Sequence, residues 1–479
     1  MTAQQVPSGA EASAEASVGT KYVVMTVSAT LGVLSGLLSV ILIPLLPALQ
    51  TEFKLTASEV SWLFTLPILV AGGSSLVVPR LADLIGDRRA NVVTMSFLTV
   101  GCLIAGLFKS FPMLLVAMFF IGIGSTVYFL GFALLRRHLP GDNAIRTAAA
   151  IVTIATGTGM TAGLVLGGLL TEKVDVSVST MYLILGVCAA LATVAAHVVI
   201  PPDEGTSEGS LGIASVALGV TWIGALLFGM AQGQSWGWTD WRVLSLVIGG
   251  LVLAVIWVRI ERQSATPIFD VETLQNPDMR RAMLGLLGFG LANVPLMLVT
   301  PYVAQLPKDM GGLGLTALGT GLLLVPWSIA YLIGGAAVGL IKVGPYALAV
   351  TGFIVMALSF TSMALFHGSI WQLVTGVAVY GFASAVASAS CYAIGQGAVP
   401  ERLAGMATTM LGTTQVVASS IAGPIIGVIL AARDVPGIPG VPASSQFTIA
   451  YLIAAALSVA AAVACMKRSP VRQSAGRTV

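Results

Sequence analysis

The chain has 479 residues, 56% of them hydrophobic and only 9% charged, whereas a soluble globular domain carries about 25% charged residues. A mean hydropathy of +0.95 places most of it in lipid. The net charge of +3 gives nucleic-acid binding no electrostatic basis.

Residues 1–21 are rich in Ala, Ser, Gly and Glu, with neither a basic start nor an apolar run. They predict a disordered cytoplasmic tail, not a cleaved signal peptide. Fourteen apolar stretches follow, at 22–47, 60–79, 91–108, 112–135, 147–170, 180–200, 211–231, 241–259, 281–305, 316–341, 346–366, 371–396, 405–431 and 446–466. About twenty apolar residues in a helix cross the roughly 30 Å hydrocarbon core. Lipid offers the backbone no hydrogen bonds, so helix is the open-ended structure that can span it. No Asp, Glu, Lys or Arg lies near the middle of any stretch, although an ionisable group there is the usual mark of a proton-coupled path.

Alternating the loops puts seventeen of the 23 Lys and Arg on the side of the termini, including the basic tail at 467–479. Basic residues favour the cytoplasm, which predicts both termini inside a multi-pass cell-membrane protein. Trp236, Trp238 and Trp241 then sit at the outer interface as an aromatic belt. Cys102, Cys188, Cys391 and Cys465 fall in apolar stretches without metal-ligand or disulfide spacing. They read as small packing residues, and neither cofactor nor metal is expected.

An internal repeat divides the chain. Residues 139–170 and 399–430 share seven identities in 32 positions, among them Pro140 with Pro400, Gly163 with Gly423 and Gly167 with Gly427. Gly159, Gly163 and Gly167 stand four apart, as do Ser419, Gly423 and Gly427. That spacing lines one helix face with small residues, where two backbones approach closely. The matched stretches are the fifth and the thirteenth. Two six-helix halves, 22–200 and 281–466, therefore flank two inserted helices and a linker at 201–280. Parallel repeats with a site at their interface are typical of secondary transporters.

Polar residues within the spans are the substrate-path candidates. Asn293 precedes Pro295, Ser384, Ser388 and Tyr392 recur every four residues, and Gln415 follows a run of threonines. Thr126 lies with Ser125 and Tyr128 in the fourth stretch, and Trp327 and Tyr331 are one turn apart. Ser and Thr often bond back to their own helix. Asn293, Trp327 and Tyr392 are thus the stronger cavity candidates, with Tyr331, Ser388, Gln415 and Thr126 beside them.

The loop Pro79-Arg80-Leu81-Ala82-Asp83-Leu84-Ile85-Gly86-Asp87-Arg88-Arg89 resembles the G-x-L-a-D-r-x-G-r-k-r loop of the major facilitator superfamily. Gly159-x-x-x-Gly163-Leu164-x-x-Gly167-Gly168 is similar to its antiporter G-x-x-x-G-P-x-x-G-G signature, and Gly423-Pro424-x-x-Gly427 keeps the Pro. Ser235-Trp236-Gly237-Trp238 and Glu261-Arg262-Gln263 resemble features of the fourteen-helix drug:proton antiporter branch. The resemblance covers about 22–466 and implies an all-α major facilitator fold. It further implies that Asp83, with Arg88, Arg89, Arg136 and Arg137, latches the cytoplasmic side against the start of the thirteenth span. Gly159, Gly163, Gly167, Gly423, Pro424 and Gly427 would pack the helices. The proton-coupling motifs are degenerate: Leu38 and Ile43 replace the Asp and Asn of the branch's first span, and Met118 stands where its fourth span has Arg.

The expectation is a secondary transporter, not an enzyme, acting as a monomer in the bilayer. It would export lipophilic or amphipathic small molecules by alternating access, with any proton carried near a membrane face by Asp83, Glu59 or Asp240. The alternative is a membrane partner or sensor that keeps the fold without transporting. No phosphate-binding loop supports an ATP-driven pump.

Overall fold

The computed structural model describes residues 9–41, 52–53, 57–138, 144–173, 176–200, 213–263, 272–399, 404–435 and 438–466. The first group of helices is α1 (Gly9–Val40), α2 (Ala57–Ile85), α3 (Asp87–Leu107), α4 (Phe111–Ser125), α5 (Val127–His138), α6 (Ala144–Lys173) and α7 (Val178–Val199). Next come α8 (Ile213–Trp236) and α9 (Trp241–Gln263). The last group is α10 (Pro277–Gln305), α11 (Ala317–Leu340), α12 (Pro345–Leu365), α13 (Ile370–Gly397), α14 (Ala404–Ala431) and α15 (Ser444–Cys465). A short antiparallel ribbon, Asp434–Val435 with Ile438–Pro442, joins α14 to α15.

Nine helices among the described residues are long and apolar enough to cross a membrane. Shorter apolar stretches at Val24–Val40, Leu66–Ser75, Phe111–Ser125, Ile154–Leu170 and Ala217–Met230 fall at the other five positions expected from hydropathy. The first helix starts at Gly9, inside the segment expected to be a disordered tail. Its Ala- and Glu-rich composition is also that of a strong helix former. The fourth stretch, expected as one rod, breaks at Thr126. There Ser125 and Thr126 return their hydroxyls to the Gly122 and Ile123 carbonyls at 2.8 and 2.6 Å, which bends a helix already softened by Gly122 and Gly124. Ser35 of α1 donates to the Ser125 carbonyl at the broken end, 3.1 Å away.

Buried apolar residues gather in two clusters, one mainly from α1–α7 and one mainly from α10–α15. The pair α8 and α9 pack on each other, and α8 reaches α2 and α14. A small cluster of Leu69, Ile223 and their neighbours Val417 and Ile421 marks that junction.

Glycine sets the closest approaches. In the first half α1 and α6 run in parallel: Gly36 lies under the Thr156 carbonyl, Gly159 under that of Val33, and Gly163 under that of Leu37. The second half solves the same problem with a different residue. Gly290 of α10 faces the Gln415 carbonyl and Ala418 of α14, and the Ser419 hydroxyl donates to the Gly290 carbonyl at 3.2 Å. Gly423 meets nothing within 4 Å, so the close packing expected there is taken over by Gly290. Gly167 is buried and Gly427 half-buried, while the Pro424 side chain lies outside the described residues.

Gly36→Ala is expected to cost about 1–3 kcal/mol through overpacking against the Thr156 carbonyl. Gly423→Ala is expected to be neutral or slightly stabilising, since a methyl group there enters open space. Unfolding of the two variants in mixed micelles measures the difference.

Candidate transport pathway between the halves

Two antiparallel helix pairs join the first half to the second, α6 with α11 and α2 with α14. Along the first pair, Gly157 meets Leu332, Gly321 lies under the Leu164 carbonyl, and Gly168 faces the Leu318 backbone. Thr161 and Ser328 share a hydroxyl hydrogen bond of 2.7 Å. At the far end the Glu172 carboxylate accepts the Leu318 N–H at 2.7 Å. This bond satisfies one of the free amides of the α11 N-terminus and places a negative charge at the positive end of its dipole. In the second pair Ser75 and Thr413 hydroxyls are 3.2 Å apart, and Ser420 reaches the Ile68 carbonyl at 3.5 Å.

Between these pairs the expected cavity residues come together. The Tyr380 hydroxyl donates to Asn293 Oδ1 at 2.6 Å, tying α13 to α10. The Tyr392 hydroxyl donates to Gln415 Oε1 at 3.3 Å, tying α13 to α14. Tyr331 sits in hydrogen-bond contact with Ser388 and 6.4 Å from the Trp327 ring, centroid to centroid. The Trp327 indole N–H is buried and has no hydrogen-bond acceptor among the described residues. Asn293, Tyr331, Tyr392 and Gln415 are all half-buried. Thr126 is instead buried and spends its hydroxyl on the helix break.

Sequence reasoning undervalued Tyr128. This residue follows the break in span four, is half-buried, and lies within electrostatic reach of Tyr331 and Tyr392 from the other half. Three phenols, one from α5 and one each from α11 and α13, thus lie within electrostatic reach of one another. The break itself, which aims α5, could not be read from hydropathy. Glu172, Ser75 and Ser328 were also missed: each looks like an ordinary helix residue until its partner from the other half is known.

Of the expected gating residues, the side chains of Asp83, Arg136 and Arg137 lie outside the described residues, as does the start of the thirteenth span around Arg402. Arg89 is exposed, and the Arg88 guanidinium donates to His197 Nε2 at 3.3 Å, joining α3 to α7. The carboxylate that this loop buries completely is Asp87, the first residue of α3. Gly86 before it has φ +89°, a conformation natural to glycine, and turns the chain so that Asp87 enters the helix N-terminus. Among the described residues Asp87 and Glu261 are the fully buried charged groups, and both stand at helix ends.

The family model described as Major Facilitator Superfamily matches residues 29–306. The Mycobacterium tuberculosis (strain CDC 1551 / Oshkosh) multidrug resistance protein Stp is 24% identical over 402 residues, covering 81% of this chain and 72% of that protein. The tetracenomycin C resistance and export protein of Streptomyces glaucescens is 22% identical over 401 residues, covering 81% and 72%. The probable actinorhodin transporter of Streptomyces coelicolor (strain ATCC BAA-471 / A3(2) / M145) is 24% identical over 412 residues, covering 80% and 68%. Among solved structures, a POT family transporter in complex with a thioalcohol-conjugated peptide superposes with a TM-score of 0.66 at 14% identity, covering 93% of this chain and 94% of that one. The human organic anion transporter TETRAN gives 0.61 at 15% identity, covering 93% and 99%. These likenesses to solved structures show the fold; the family match adds the setting and the class. With many apolar helices and a family of carriers for small molecules, this is a multi-pass membrane transporter, not an enzyme, and the chain belongs to the major facilitator superfamily.

Proposed function

We propose that the chain exports uncharged lipophilic or amphipathic small molecules across the cell membrane by alternating access. The carrier would have fourteen spans, with both termini cytoplasmic, and act as a monomer. Its halves, 22–200 and 281–466, would rock about α6–α11 and α2–α14. The observation that carries this reading is the half-buried set of Tyr128, Tyr331, Tyr392, Asn293 and Gln415, drawn from both halves and free of charge. An apolar chamber with a few phenol, indole and amide groups suits a ligand recognised by shape and by a small number of hydrogen bonds. Relatives named for multidrug resistance and for tetracenomycin C resistance and export support the outward direction.

Lacking a carboxylate at mid-span, the chamber has no charge to pair with a cationic substrate. Proton coupling is left to groups near the membrane faces: Asp83, Glu59 and Asp240 as read from the sequence, and Asp87, which the fold buries. In the proposed orientation Glu172 and Leu318 lie at the outer face. Contacts between α6 and α11 then run from mid-membrane to that face, as in a carrier closed to the outside. The Glu172 carboxylate would hold this gate, while the Asp83 loop, with Arg88, Arg89, Arg136 and Arg137, would act at the inner one.

Two outcomes test the proposal. Tyr128→Ala is expected to lower efflux of a neutral aromatic dye from loaded vesicles by roughly tenfold or more, as truncating a central aromatic anchor does. Unchanged efflux would remove Tyr128 from the path. Glu172→Ala is expected to increase labelling of Ser328→Cys by a membrane-impermeant thiol reagent applied outside, in a Cys188→Ser background. Glu172→Gln, which keeps an acceptor for the Leu318 N–H, should label less than Glu172→Ala. Equal labelling of all three forms would show that this bond does not hold the gate.

A further inference from the structure

Cys391 of α13 and Cys465, the last residue of α15, are separated by 74 positions in the chain, yet their sulfurs are 3.8 Å apart. Both side chains are fully buried and both thiols are free. A third helix makes room for them. A Cβ at Gly285 of α10 would stand 2.6 Å from the Cys465 sulfur and 2.7 Å from that of Cys391. The Cys465 thiol also points at the Arg281 carbonyl of α10, 3.7 Å away. Around this point the helix ends are firmly tied. Asn276 caps α10 and donates to the Ala398 carbonyl at the end of α13, at 2.8 Å. Arg281 pairs with Asp278 at 2.6 Å.

Filling space does not require sulfur at both positions, since Ala or Ser is also small. Two cysteines in contact add a bond that no other small pair can form. A disulfide holds its sulfurs about 2.0 Å apart, so closure asks for an approach of about 1.8 Å. The segment the bond would enclose contains the whole of α14, the helix that carries Thr413 and Ser420 to the other half.

We propose that Cys391 and Cys465 form a redox-active dithiol, a modification site at which a two-electron oxidant of the peroxide class closes a disulfide between α13 and α15. One sulfur attacks the peroxide, taking one oxygen as a sulfenic acid and releasing water. The second sulfur displaces that oxygen as another water. Two thiols and one peroxide thus become one disulfide and two waters; the sulfurs lose two electrons and the peroxide gains them. The site lies at the end of the bundle where α10 starts and α15 stops. If that end is cytoplasmic, as proposed above, the pair stays reduced until oxidant rises. The tether then fixes both flanks of α14.

The test uses the full chain in detergent micelles, oxidised with hydrogen peroxide, then denatured and titrated for thiols. Four free thiols are expected to fall to two, with Cys391 and Cys465 recovered in one cross-linked peptide and released by dithiothreitol. The oxidised form is expected to melt at a higher temperature than the reduced form, because the cross-link restricts the unfolded chain. Cys188→Ser, which removes an exposed thiol, should keep both effects. Cys391→Ser should lose them and leave its three thiols free; Cys465→Ala serves where that variant does not fold. Separate alkylation of Cys391 and Cys465 after oxidation would overturn the proposal. So would cross-links through Cys102 or Cys188, or an oxidised form that melts no higher. None of these outcomes depends on what the carrier moves.

Discussion

A glycine lying under a backbone carbonyl of the neighbouring helix is the contact on which this bundle depends. Lipid tails are as apolar as leucine, so the hydrophobic effect does little to hold one helix against another, and van der Waals contact at close range does the work. Gly36, Gly159 and Gly163 bring α1 to α6, and Gly290 brings α10 to α14. Gly381 seats α13 on the Trp327 backbone of α11, and Gly334 returns the contact under the Phe382 carbonyl. The same device appears between the halves at Gly321, and Gly168 lies against the Leu318 backbone beside it. A carrier that must break one set of contacts and keep another has only the number and backing of such sites to distinguish them.

Hydrogen bonds supply that backing sparingly. Most Ser and Thr hydroxyls return to a carbonyl three or four residues earlier in their own helix, as at Ser39, Thr158 and Thr414. Such bonds satisfy the group but join nothing. Among the described residues, bonds that cross between helices of different halves include Thr161 with Ser328, Ser75 with Thr413, Ser420 with Ile68, and Glu172 with Leu318. Interhelical bonds in membranes are typically worth about 0.6 kcal/mol each, a scale at which several can hold a closed face and still exchange on opening.

Charge is kept to the helix ends, where the backbone itself can stabilise it. Glu52 accepts the Val178 N–H at 2.6 Å and the Ser179 hydroxyl at 2.6 Å at the start of α7, with Lys109 3.7 Å away. Glu172 does the same for α11 and Asp87 occupies the first turn of α3. The Glu52 and Glu172 carboxylates satisfy free amides, and all three meet the positive end of a helix dipole without entering the hydrocarbon.

The sequence by itself determined the membrane setting, the order of the apolar helices and the family. Each follows from properties that repeat along the chain: the length of apolar runs, the absence of mid-span charge, and motif spacing in local loops. Asn293, Trp327, Tyr331, Tyr392 and Gln415 could be picked out because polar or aromatic groups inside such runs are conspicuous. Their partners could not. Tyr380 looks like any core tyrosine, Tyr128 acquires its direction from a break that two hydroxyls create, and Glu172 finds Leu318 across 146 positions. Gly423 and Gly290 show the limit most plainly. The repeat marks Gly423, yet the close approach is made at Gly290, because contact depends on which face a helix turns to its neighbour. That rotation is set by the packing of the whole bundle. A pattern read along one helix contains no record of it.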